Sequence, residues 1–165
     1  MEEIDPIVVQ SMECHDSLRM FTMSQHCNVS SINQSVQKTQ RWLSQLKEQG
    51  SFQSEEQAYS AFRAVLHSLR DRLTVDEATD LASQLPMVVR GFYYEGWRPS
   101  FAPNDEKTRE DFYASIKESL KQNDTIDPER ASVAVFGLLK QELTPGLTDH
   151  VRQMLPKDIQ GLWEQ

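Results

Sequence analysis

Cysteine is nearly missing from this chain. The 165 residues contain two, Cys14 and Cys27, too few for a disulfide framework, and both read as reduced thiols. No run approaches the about 18 apolar residues that a membrane span needs. The opening Met1-Glu2-Glu3-Ile4-Asp5-Pro6 is acidic, where a secretion signal is basic. A cytoplasmic protein with no membrane partner is expected. Positive charge is also short, at 17 Lys and Arg against 25 Asp and Glu, a formal net charge of -8. Affinity for a phosphate backbone comes from Lys and Arg displacing counterions, so nucleic acid is not an expected partner. Strand alternation is absent. So are a phosphate-cradling glycine loop, a nucleophile elbow and paired metal ligands at i and i+4. No catalytic residue and no cofactor can be assigned. Triads are assembled by geometry that sequence order hides, so an enzyme without a recognisable motif stays as the second alternative to a noncatalytic protein.

What is present falls into three regions. Residues 1–35 hold five acids and one base, Arg19, and are rich in Ser, Asn, Gln and Met. They read as a loosely attached arm, partly disordered or forming a short helix. Residues 36–95 and 106–165 are related to each other when the chain is slid by 70 positions without a gap, with 96–105 as a joining loop. Lys47-Glu48 falls on Lys117-Glu118, Ala61 on Ala131, Ala64-Val65 on Ala134-Val135, Leu69 on Leu139, Leu73-Thr74 on Leu143-Thr144, and Leu85-Pro86 on Leu155-Pro156. Apolar character persists where identity is lost, as in Trp42 on Phe112, Leu66 on Phe136 and Tyr93 on Trp163. A repeat of this kind fixes the whole fold, because each copy must bury its apolar face against the other.

Each copy reads as four helices. Val36, Trp42, Leu43 and Leu46 suggest a first helix from about Asn33 to Gln49, ended by Gly50 in the C-terminal cap. Ser54-Glu55-Glu56-Gln57 and Thr74-Val75-Asp76-Glu77 have the form of capping boxes. Between them Ala58, Phe62, Val65, Leu66, Leu69 and Leu73 recur at spacings of three and four, which predicts one buried face. Pro86 ends the third helix near Leu85 and opens the fourth. Asp127-Pro128, Thr144-Pro145 and Leu155-Pro156 punctuate the second copy in the same way. The expectation is an all-α fold: one domain over 36–165, of eight helices in two tandem four-helix repeats about an approximate twofold axis.

At Ala61-Phe62-Arg63-Ala64-Val65-Leu66, Leu69-Arg70-Asp71-Arg72-Leu73 and Leu85-Pro86-Met87-Val88-Val89-Arg90-Gly91-Phe92-Tyr93-Tyr94-Glu95-Gly96-Trp97, the chain resembles the bacterial domain-of-unknown-function family 2267. The likeness runs from about Trp42 to Trp163 and leaves the arm unmatched. It implies a helical fold and a bacterial cytosolic setting, and it brings no activity, ligand or catalytic residue.

Positions that break the 70-residue relation are the better candidates for function. Tyr94, Glu95, Trp97 and Arg98 have exposed or absent counterparts and sit at the junction between copies, with the composition of a binding hot spot. The leading expectation is a noncatalytic interaction or regulatory module docking a protein partner there; the structural alternative is that Trp97 folds back to seal the two copies together. Arg63, His67 and Arg70 share a helical face and suit an anion, so the alternative function is a small-ligand or anion sensor; more often such a row is a solvated face. Their counterparts are Val133, Gly137 and Lys140. His150, beside Asp149, reads as a surface substitution. Cys14-His15 and His26-Cys27 have poor spacing for zinc, and no metal is expected. The sequon at Asn28 needs a secretory route that nothing in the chain provides. Ile7, Val8, Met12, Leu18, Met20, Phe21 and Met23 would form an apolar strip if the arm is helical, which makes self-association a further possibility.

Overall fold

A computed structural model describes residues 29–120 and 125–164. The zinc reading, the sequon and the apolar strip of the arm lie outside the described residues. Eight α-helices, and no strand, occur among the described residues, so the expected all-α class is borne out. They are α1 (Ser30–Gln49), α2 (Glu55–Arg70), α3 (Val75–Gln84), α4 (Met87–Tyr93), α5 (Arg109–Ser119), α6 (Pro128–Glu142), α7 (Pro145–Met154) and α8 (Lys157–Gln160). Short 3₁₀ turns lie at Pro99–Phe101 and Gly161–Trp163.

The caps explain most boundaries. Thr74 and Glu77 make both halves of a capping box at α3. At α2 Ser54 accepts from the Gln57 N–H as expected, but the Gln57 amide reaches back one residue further and accepts from the Gln53 N–H. Thr108 and Asp111 form a box at α5 that a search for Glu or Gln passes over. Asp127 caps α6 by accepting from the Arg130 N–H at 2.8 Å, ahead of Pro128 in the first turn. Pro86 and Pro156 stand just before α4 and α8, as cap residues. Helix α1 begins at Ser30, ahead of the expected Asn33, because the Val29 carbonyl already accepts from Ile32 and Asn33. Its Val36 is exposed, although the sequence placed it on the apolar face.

At the end of α1 the backbone makes a Schellman turn: Phe52 N–H bonds the Lys47 carbonyl and Ser51 N–H that of Glu48, the pairing that satisfies a helix's last acceptors. The left-handed residue is Ser51, at φ 49°, and not Gly50, which is helical at φ −85°. Glycine is required at 50 for space, since a β-carbon would stand 2.2 Å from Phe52 Cε2.

Helix α2 packs against α1, α4, α5 and α6. One buried face was expected, but Ala61, Ala64, Ser68 and Arg70 are buried besides the apolar stripe. Alanines at 61 and 64 let neighbouring helices approach on that second side. Helix α6 is covered almost as fully. Buried side chains from the whole described chain form one cluster, from Trp42 to Trp163. Trp42 meets Phe62 edge-on at 6.2 Å, and Phe136 stacks on Phe112 at 6.0 Å and on Trp163 at 4.4 Å. Each such side chain contributes about 1.5–3 kcal/mol through burial. Between α3 and α7, the Gln84 amide donates to Thr144 Oγ1 at 2.8 Å and accepts from the Thr144 N–H at 2.9 Å.

Candidate functional site

Arg63, His67 and Arg70 come together as the sequence suggested, but around the end of α4. A helix of seven residues leaves its last carbonyls without intrahelical donors. Donors from α2 meet them: Arg70 Nη1 reaches the carbonyls of Tyr93 and, at 3.3 Å, Glu95, and its Nε binds Asp71 at 2.8 Å. His67 Nε2 lies 2.6 Å from the Phe92 carbonyl. A carbonyl can only accept, so this nitrogen carries the proton. Burial, followed by the neighbouring Arg70 and Arg63 charges, pulls the His67 pKa below its usual 6.5, against the pull of that hydrogen bond. A neutral imidazole is a poor anion ligand. Arg63 is paired with Glu95 at 2.8 Å. His67 and Arg70 thus cap the end of α4, and Arg70, only 4% exposed, is not on a solvated face. Lys140 Nζ donates likewise to the Trp163 carbonyl at 2.8 Å.

The junction residues divide. Tyr94 and Trp97 are half-buried and stacked on each other at 5.3 Å, with the Arg70 guanidinium 5.8 Å from the Trp97 ring. Trp97 thus folds back onto the first half of the chain. Glu95 is held by Arg63. Arg98 is exposed and makes no ion pair among the described residues. Next to it stands Phe101, the most exposed large apolar side chain among the described residues at 71%. Arg98 and Phe101 share a cavity of about 270 Å³ with Gly96, whose φ of 66° turns the chain away from α4. Sequence reasoning missed Phe101; the signal was an aromatic between Pro99 and Pro103, with no counterpart in the other half.

Sequence reasoning also missed Arg72. Its side chain is 1% exposed and pairs with Glu106 at 2.5 Å. It donates as well to the Ser68 carbonyl and Ser115 Oγ, and lies over the Phe112 ring at 5.0 Å. Together with the bond from Asn104 N–H to the Asp71 carbonyl, this fixes the loop after α4 against α2 and α5.

A cavity of about 680 Å³ lies along the outer face of α6 beside Gln49 and Trp163. His150 is exposed on α7. Among the described residues no group of three His, Cys, Asp or Glu side chains could hold a metal ion, and no helix is long and apolar enough to cross a membrane.

Comparison with curated proteins finds no match. A family model described as "Uncharacterized conserved protein (DUF2267)" matches residues 39–162, which covers every helix from the middle of α1 to α8 and both surfaces described above. The chain therefore belongs to the DUF2267 family.

Proposed function

We propose that this protein is a noncatalytic interaction module that docks a protein partner through the junction after α4, with Arg98 and Phe101 as the contact pair. The observation that carries the reading is Phe101, 71% exposed beside an arginine with no ion-pair partner among the described residues. Exposed aromatics and arginines at a rigid edge are the residues from which binding hot spots are built. The partner that fits presents an apolar side chain to Phe101 and a carboxylate to Arg98. Tyr94, Glu95 and Trp97 belong to the same junction and complete the candidate surface. The setting we assign is the bacterial cytoplasm, on the strength of the family resemblance.

The reading includes the two halves as equivalent units about an approximate twofold axis, the relation that makes the junction unique. Helices α3 and α7 are each ten residues long and begin 70 positions apart. Leu85 and Leu155 share backbone angles of about −75° and 150° and are both buried. Lys140 meets the Trp163 carbonyl as Arg70 meets that of Tyr93. These support the relation.

The test is quantitative affinity capture of partners by the intact protein and by Arg98→Glu and Phe101→Ser variants, each with a melting temperature matching the original. We expect both substitutions to remove the same partner. Retention of every partner by both variants sinks the proposal.

A further inference from the structure

Gly137 lies in the interior of α6, where glycine is the least favourable residue after proline. Nothing in the packing of the described residues demands it: among them a β-carbon there would meet only Gln49 Oε1, at 3.8 Å. Seventy positions earlier, His67 and Arg63 bridge α2 to the end of α4. Val133 and Gly137 cannot make such bridges, and the space they leave is the cavity of about 680 Å³. This lies within the roughly 300–1,000 Å³ of small-molecule sites. The cavity follows one face of α6 for about 16 Å, from Arg130 to Gln141, at about 1.5 Å per residue.

The two ends of the groove differ in charge. At the α6 N-terminus Arg130 lies over the Phe52 ring at 5.7 Å, close to two carboxylates that have other tasks. Asp127 caps the helix. Glu129 faces Tyr113, whose phenol is pushed up to about 12 by burial first and then by that carboxylate. At the opposite end Lys140 gives one N–H to the Trp163 carbonyl, leaves two, and has no ion-pair partner among the described residues. The neighbouring Gln49 and Gln141 amides bond each other at 3.3 Å, and the buried Trp163 indole N–H has no acceptor among the described residues. The Lys140 end of the apolar trough therefore offers donors and no carboxylate of the lining, while the Arg130 end holds two carboxylates beside one guanidinium.

We propose that this groove binds an elongated small molecule with a flat apolar body and a carboxylate or phosphate at one end. The body lies along Val133, Gly137 and Leu162, and the anionic group sits at Lys140. This site is separate from the docking surface at Arg98 and Phe101, and neither proposal depends on the other.

The experiment uses the full chain with 2-naphthoate and 2-naphthyl phosphate as probes and neutral 2-naphthol as control. Binding is read from the indole N–H signals of Trp42, Trp97 and Trp163 in nitrogen-labelled protein. We expect a saturable shift at Trp163 with either anion, and a Kd about tenfold weaker for 2-naphthol, the order of one charge-assisted contact. Gly137→His and Val133→Arg rebuild the side chains of the other half and should abolish the shift while leaving the melting temperature within a few degrees. The second variant guards against the first misfolding. Arg98→Glu should bind the probes unchanged. The proposal is overturned if neither anion gives a saturable Trp163 shift, if both filled variants bind like the original, or if 2-naphthol binds as tightly as the acid.

Discussion

Ser51 holds a left-handed backbone conformation, φ 49°, that glycine adopts without strain. Ser51→Gly should therefore raise stability by about 0.5–1 kcal/mol in urea unfolding. Gly50→Ala should lower it by about 1–3 kcal/mol, because Phe52 is buried and cannot move away from a new β-carbon. The opposite signs at adjacent residues separate conformation from space as the reason for a glycine, which the letters Gly50-Ser51 alone do not. His67 supplies a pH effect. Its folded pKa lies below 6.5, so its contribution is fully present above that value. As pH falls below 6.5 the unfolded chain takes up a proton that the folded chain resists, and stability falls until the folded pKa is passed. Comparing urea midpoints at about pH 7.5 and about pH 5, His67→Gln should show the smaller drop. An equal drop in both proteins would place the acid sensitivity elsewhere.

Helix α4 is short, so its stability depends on neighbours more than on its own hydrogen bonds. Arg70 satisfies the carbonyl of its last residue, Tyr93, and that of Glu95 just beyond it, from a nearly dry position. Arg70→Met keeps much of the volume and leaves those acceptors unmet, at about 2–3 kcal/mol. Hydrogen exchange should then rise first in α4 and in the loop to Phe101, and least in α6. Uniform acceleration across all helices would contradict a local capping role. The helices themselves were legible because apolar spacing and caps are local: Thr74 to Glu77 forms its box as written. The partners of Arg63, His67 and Arg70 were not legible. Those residues look alike whether they face water or the end of a helix some 25 residues away, and only packing brings α4 to them.

The buried side chains of all eight helices join in one cluster, and α2 touches helices of both halves. Unfolding of the whole chain should be a single cooperative transition by circular dichroism and by tryptophan fluorescence. A fragment of residues 96–165 should fail to fold, because α5 and α6 lose the cover of α2. A stably folded fragment would show that each half holds its own core.

The helical class, the family, the capping box at Thr74 and the apolar stripe of α2 were determined by the sequence itself, since they depend on spacing along the chain and on which side chains leave water. Tertiary structure alone decided that His67 and Arg70 of α2 cap a helix end, that Phe101 and not Trp97 stands exposed, and that Gly137 opens a groove. Each of these depends on what lies opposite a residue in space, and that is set by the packing of helices far apart in the chain.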